Sequence, residues 1–175
     1  MTFSTRTATN VALLIATSII LTRVMGFVIP IAGFMALRIS FGEIPIILAG
    51  ILFGPAAGGI AGAVADLVGF MVNSHGGAYF PGFTLTAILT GLIPGLLLYR
   101  HRHRFTLVQL IMVVLATDLL TGVFLNTLWL TIMMDTGFWV LLPARLASRL
   151  VTIPIYVTVI HLTRRAFMAA GLDTA

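Results

Sequence analysis

Lysine and cysteine are both missing from this sequence of 175 residues, and acidic residues number five against ten arginines. Each shortage excludes a class of chemistry. A nucleotide-binding P-loop needs its lysine to reach the phosphates, so any ATP-driven work must draw on an ATPase in another chain. Without cysteine there is no disulfide framework, thiolate nucleophile or cysteine-ligated metal. Charged residues make up 9% of the chain and hydrophobic ones 59%, and the mean hydropathy is +1.13, well outside the mix of a soluble domain. This is the composition of an integral membrane protein. No separate soluble domain fits in what remains, so residues 1–175 read as a single membrane domain. The net charge of +5 reads as membrane topology rather than nucleic-acid binding, because the arginines fall between apolar runs.

About twenty apolar residues are needed to cross ~30 Å of hydrocarbon, and on that measure the chain divides into six spans. The first covers 8–29. A cleaved signal peptide is the competing reading, but this run carries Arg23 and several more spans follow. Ala8, Ala12 and Ala16 recur every four residues on one side of it, a small-residue groove that lets another helix approach closely. That face suits either packing within the subunit or docking of a partner. Pro30 and Gly33 end the helix, and 31–40 reads as a loop holding Arg38.

The second span, 41–53, is too short to cross unless tilted or extended, and Gly54-Pro55 breaks it. The third, 56–73, continues from Gly54 a row of glycines at 58 and 62, and bears a stripe of alanines at 57, 61 and 65, marks of a helix packed against others. Asp66 shares the glycine ridge. The fourth, 83–99, contains Pro94, and Arg100-His-Arg-His-Arg104 follows it. The fifth, 105–133, holds Asp118, Asn126 and Trp129. After the turn at 134–137 the sixth runs over 138–163 and ends at Arg164-Arg165.

The expected fold is therefore an all-α integral membrane bundle of six transmembrane helices. Basic loops stay in the cytoplasm, which places both termini and the Arg100–Arg104 segment inside. Arg6, that cluster and Arg164-Arg165 are thereby explained by topology. Arg23, Arg38, Arg145 and Arg149 are not, and all four fall toward the outer face. An arginine inside a bilayer costs ~2.5–3.5 kcal/mol on insertion scales, so it is kept where it has a partner or a ligand. The ordinary reading of each is a snorkelling side chain or an ion pair with Glu43, Asp66, Asp118 or Asp135. Arg145 and Arg149, four residues apart, aim two guanidinium forks at one side of a helix, an arrangement suited to a carboxylate or dicarboxylate ligand.

The segment His75-Gly-Gly-Ala-Tyr-Phe-Pro-Gly-Phe-Thr84 is the densest concentration of turn formers and rings in the chain. It reads as a lid over a small-molecule site on the outer face. Tyr79, Phe80 and Phe83 would stack on a flat ligand, with Trp129 nearby. Trp139 reads better as part of an interfacial aromatic belt. Asp66 or Asp118 would pair with ring N–H groups and Asn126 with a carbonyl, although helix-to-helix hydrogen bonding explains Asp118 at least as well.

Glu43-Ile-Pro45 after a loop arginine, Leu52-Phe-Gly-Pro55 leading into a helix with Asp66-Leu-x-Gly69, and Ala78-Tyr-Phe-Pro-Gly-Phe-Thr84 resemble the substrate-binding S components of energy-coupling factor (ECF) transporters. The folate-specific branch is the nearest. The resemblance implies a multi-pass protein of the bacterial plasma membrane that captures a vitamin outside and topples to release it inside. It further implies a transmembrane T component as partner, docked on the Ala8, Ala12 and Ala16 face, and two cytosolic ATPases that hydrolyse the ATP, with no cofactor on this chain. Folate's pterin, benzoyl ring and glutamate dianion would match rings, a carboxylate and arginines. The candidate site is then Arg23, Arg38, Asp66, His75, Tyr79, Phe80, Phe83, Asn126, Trp129, Arg145 and Arg149. Another vitamin, pantothenate or riboflavin, is the competing ligand. An intramembrane enzyme is disfavoured, because His75, His101, His103 and His161 are scattered without metal-site or nucleophile spacing; a ligand-free assembly subunit would leave the four outer arginines without purpose.

Overall fold

The computed structural model describes residues 4–24, 26–31, 34–74, 78–102, 104–135 and 137–169. Six helices form the bundle: α1 (Thr5–Arg23), α2 (Glu43–Phe53), α3 (Pro55–Val72), α4 (Pro81–Leu98), α5 (Leu107–Met134) and α6 (Phe138–Ala169). Five are long and apolar enough to cross a membrane, and α2 is the short exception. Side chains that hydrocarbon would meet are bare: Leu13, Met71, Val108 and Leu150 are all more than 60% exposed. Trp139, on the first turn of α6, is 78% exposed.

Local chemistry sets most of the helix ends. Ser4 caps α1, accepting a hydrogen bond from the Thr7 amide, and Thr106 and Gln109 form a reciprocal capping box at the start of α5. Proline occupies the first position of both α3 and α4, where its missing amide removes nothing the helix needs. Between α2 and α3, Gly54 adopts a φ of 103°, a conformation that favours glycine, and so turns the chain sharply into Pro55.

The first helix departs from expectation. It stops at Arg23 rather than continuing to residue 29, and the segment read as a loop at 31–40 is largely a strand. Phe27–Ile31 (β1) and Phe34–Ile39 (β2) pair antiparallel, with Phe27 opposite Ile39, Val28 opposite Arg38 and Ile29 opposite Leu37. The register slips between Ile29 and Ile31, at Pro30, which has no amide to give to the ladder. A run rich in β-branched residues and holding a proline makes a better hairpin than a helix end. Gly26 packs against the Thr22 carbonyl, closing the end of α1.

The tightest packing lies among α2, α3 and α4. Every residue from Ile44 to Phe53 is buried. That enclosure explains how an eleven-residue helix, about 16 Å long, serves in a bundle whose other members cross the bilayer. Glycines let the backbones meet. A side chain at Gly91 would strike the Gly58 backbone, its Cβ only 2.9 Å from the Gly58 Cα, and one at Gly62 would strike the Ala87 carbonyl. The row Gly58, Gly62, Asp66 on α3 thus runs antiparallel to Gly91, Ala87, Thr84 on α4, the two helices in backbone contact along their length. Around this centre, Val11 and Leu14 of α1, Leu110 and Val114 of α5 and Tyr156, Val157 and Ile160 of α6 complete the core.

Residues 119–125 of α5 are wound as a π-helix, directly after Asp118 and before Asn126. Pro143 and Pro154 lie inside α6, which at 32 residues is about 48 Å long and so extends beyond the hydrocarbon. Gly91→Val is expected to destabilise the bundle by about 1–3 kcal/mol through overpacking, read as a lowered unfolding temperature in detergent. Ile60→Val, on the exposed side of α3, is expected to leave that temperature nearly unchanged.

Candidate functional site

The hairpin end of the bundle gathers the last turns of α1 and α3, the first turns of α2 and α4, and the halves of α5 and α6 nearest their connecting turn. Two arginine-centred clusters and one aromatic cluster lie there.

The first is built on Arg23, the last residue of α1 and 8% exposed. Its Nη2 lies 3.6 Å from Asp66 Oδ1 on α3, and its Nη1 donates to the Asn73 carbonyl at 2.9 Å. Thr84, in the first turn of α4, donates to Asp66 Oδ2 at 2.7 Å and shares a 2.8 Å hydrogen bond with the Tyr79 hydroxyl. Gly69 makes room for the arginine, since a Cβ there would sit 3.0 Å from Arg23 Nε. The Asp-Leu-x-Gly spacing on α3 therefore supplies a carboxylate and, one turn on, a gap for the guanidinium it pairs with.

The second cluster joins α2, α5 and α6. Arg149 Nη1 lies 3.0 Å from Asp118 Oδ1 and 3.8 Å from Glu43 Oε2. One turn away, Arg145 Nη1 donates to the Gly122 carbonyl at 3.0 Å. Arg145 and Arg149 on α6 thus face Gly122 and Asp118 on α5, two pairs with fourfold spacing running antiparallel. Gly122 has to be small: a Cβ would lie 2.7 Å from both Asp118 Oδ1 and the Arg149 guanidinium carbon. Asp118 is 3% exposed, and neither carboxylate oxygen accepts an aligned hydrogen bond, so its link to Arg149 is ionic. Tyr156, two turns beyond Arg149, donates to the Ser40 carbonyl at 2.5 Å. Ser40 in turn lies 3.4 Å from the Thr22 hydroxyl, and Ser18 donates to the Gly42 carbonyl at 2.7 Å. These bonds tie the feet of the hairpin to both arginine clusters.

The aromatic cluster centres on Phe80, whose ring centroid lies 5.6 Å from Trp129 and 6.1 Å from Phe83. Trp129 donates through Nε1 to the Thr86 hydroxyl at 3.0 Å. Gly82 again allows the approach, because a Cβ there would sit 2.6 Å from the Trp129 ring. Tyr79 belongs elsewhere, stacked edge-on against Phe70 at 5.3 Å and bonded into the Arg23 cluster. The aromatic segment is thus only partly a loop: Pro81, Gly82, Phe83 and Thr84 are already helical.

The residues singled out in the sequence accordingly divide. Arg23 and Asp66 pair with each other, Arg145 and Arg149 line one face of α6, Phe80, Phe83 and Trp129 form a ring cluster, and Tyr79 bridges toward Asp66. Asn126 is half-buried on α5, one turn before Trp129. The backbone of Arg38 stands on β2 opposite Val28, and His75 lies outside the described residues. Thr84, Thr86, Gly69, Gly122 and Tyr156 were not marked as site residues. Tyr156 was within reach, since Arg145, Arg149, Thr152 and Tyr156 recur at fourfold and threefold steps. Gly69 stands in the Asp66-Leu-x-Gly69 motif, but what it and Gly122 accommodate comes from other helices, which no local pattern reveals.

Ala8, Ala12 and Ala16 lie together on the exposed side of α1, whereas Thr7, Val11, Leu14 and Ser18 face inward. Among the described residues, packing within the subunit leaves the alanine row exposed.

Comparison with known proteins places this geometry in a family. Residues 6–163 match the model for "ECF transporter, substrate-specific component". The chain is 35% identical over 150 residues, covering 86% of it and 83% of the relative, to the folate transporter FolT of Clostridium novyi (strain NT). It is 27% identical over 158 residues to FolT of Leuconostoc mesenteroides subsp. mesenteroides, covering 87% of this chain and 81% of the relative. A crystal structure of FolT bound with folic acid superposes with a TM-score of 0.79 at 33% identity, over 94% of this chain and 96% of that one. The chain belongs to the substrate-specific components of ECF transporters, multi-pass proteins of the bacterial plasma membrane that are not enzymes.

Proposed function

We propose that this chain is a folate-binding S component, which captures folate at the hairpin end and releases it inside the cell by reorienting with an ECF module. The observation that carries the reading is the match, over nearly the whole chain, to a FolT that holds folic acid. The chemistry of the hairpin end supports it. A cluster of rings suits the flat pterin and benzoyl groups, and Arg145, Arg149 and Arg23 suit the glutamate carboxylates. Within the chain Arg149 and Arg23 lean on Asp118, Glu43 and Asp66. A bound carboxylate would take over part of that pairing. Riboflavin, with no charge on its ring system, would leave the arginines unused.

With the hairpin end outside, both termini and the Arg100–Arg104 segment lie in the cytoplasm, as the placement of basic loops favours. The exposed row Ala8, Ala12 and Ala16 then serves as the groove for the T component. Two cytosolic ATPases hydrolyse the ATP, since a chain without lysine has no P-loop of its own, and no cofactor is required here.

Calorimetric titration of the purified protein with folate, pantothenate and riboflavin tests the central claim. Heat is expected with folate alone, and binding of either other vitamin without folate would overturn it. Arg145→Gln is expected to weaken folate binding by at least about tenfold, equivalent to ~1.4 kcal/mol, at an unchanged unfolding temperature. Arg149→Ala is a poorer probe, because stranding two carboxylates costs ~3–5 kcal/mol of stability. Ala12→Trp is expected to leave folate binding by the isolated subunit intact while abolishing uptake and copurification of the T component. Loss of binding in that variant would mean the alanine face is internal.

A further inference from the structure

The opposite end of the bundle holds a feature that folate capture does not use. An apolar cleft of about 460 Å³ runs between the start of α5 and the second half of α6, lined by Leu107, Ile111, Pro154, Val157, Thr158 and His161 among others. Its lining residues include none of the candidate substrate residues. It opens toward lipid, since Leu107 is 48% and Leu162 59% exposed.

What distinguishes this cleft from ordinary helix-surface roughness is its mouth. On α6 its lining follows Pro154, Thr158 and His161 in steps of four and three, and the next residue in that row is Arg165, exposed to the surroundings. Arg164 lies beside it on the row through Val157 and His161. It is only 7% exposed, with its guanidinium 3.7 Å from the centre of the Phe105 ring. The stacking fixes its direction instead of leaving it to snorkel. Its Nε is buried with no hydrogen-bond partner, and none of the ion pairs among the described residues includes it. Arg104, also exposed, precedes Phe105 at the foot of α5. Between trough and mouth, His161 Nδ1 is likewise buried without a partner.

An apolar trough, a buried ring nitrogen and a cationic rim follow one another along about 16 Å of helix. Acyl chain, glycerol ester and phosphate follow one another in the same order in a phospholipid. We propose that this cleft is a binding site for an anionic phospholipid, with one acyl chain along Leu107, Ile111 and Thr158 and the phosphate on Arg164 and Arg165. Three arginines at the rim favour phosphatidylglycerol over a zwitterionic lipid, whose own cation they would repel.

Native mass spectrometry of the full chain in detergent, with phosphatidylglycerol and phosphatidylcholine of identical acyl chains, tests this. Wild-type protein is expected to retain phosphatidylglycerol at least about fivefold more than phosphatidylcholine. The double variant Arg164→Gln, Arg165→Gln is expected to lose that preference. Thr158→Phe, which fills the trough from its exposed rim, is expected to reduce phosphatidylglycerol retention by a similar factor. Unchanged folate binding shows that each variant is folded, and the wild-type comparison needs no variant at all. Equal retention of the two lipids overturns the proposal, as does full retention of phosphatidylglycerol by both variants. Displacement of the lipid by glycerol phosphate alone would reduce the site to an anion site and overturn it. So would a Thr158→Phe protein that keeps its lipid but no longer copurifies with the T component, since the cleft would then be a protein-docking face.

Discussion

A guanidinium within the hydrocarbon layer has no water to turn to, and the architecture of the hairpin end follows from giving two of them partners inside the protein. Arg149 reaches Asp118 and Glu43 on two other helices, and Arg23 reaches Asp66 and the Asn73 carbonyl. Each pairing needs helices at a set rotation and depth. The short α2 begins where Glu43, its first residue, can meet Arg149. Burying such pairs contributes little net stability by itself. Their effect is to specify which helix faces which.

Small residues make those approaches possible. Gly58 and Gly91 bring α3 and α4 into backbone contact, and Gly69, Gly82 and Gly122 leave gaps that Arg23, Trp129 and Arg149 fill from other helices. In a bilayer, close van der Waals contact replaces the hydrophobic drive that packs helices in water, so a glycine at a crossing matters more than a large apolar side chain there. The π-helical turn at 119–125 belongs to the same economy of space. It lies at the level where Arg145 bonds to the Gly122 carbonyl, and a wider turn offers carbonyls that a regular helix would keep to itself.

Much of the helical plan was legible because apolar length and proline-glycine punctuation are local signals. The break at Gly54-Pro55, the small-residue face of the third helix and the unusual arginines could all be read in order along the chain. The end of α1 could not. An apolar run with β-branched residues suits a membrane helix and a hairpin equally, and only the pairing of Phe27 with Ile39 distinguishes them. The aromatic segment was legible as a cluster but not in its division. Tyr79 and Phe80 are neighbours in sequence, yet one bonds toward Asp66 through Thr84 and the other stacks on Trp129 from a distant helix.

The sequence by itself determined that this is a membrane bundle without cysteine chemistry or a P-loop lysine, because those follow from residue types present or missing. It also marked the arginines whose cost required a reason. Which carboxylate answers which arginine was decided only by tertiary structure. Four acidic residues were available as partners, and choosing among them depends on helix rotation, on depth and on the glycines that let a side chain from one helix pass into another. Those are relations between segments far apart in the chain, and no local pattern encodes them.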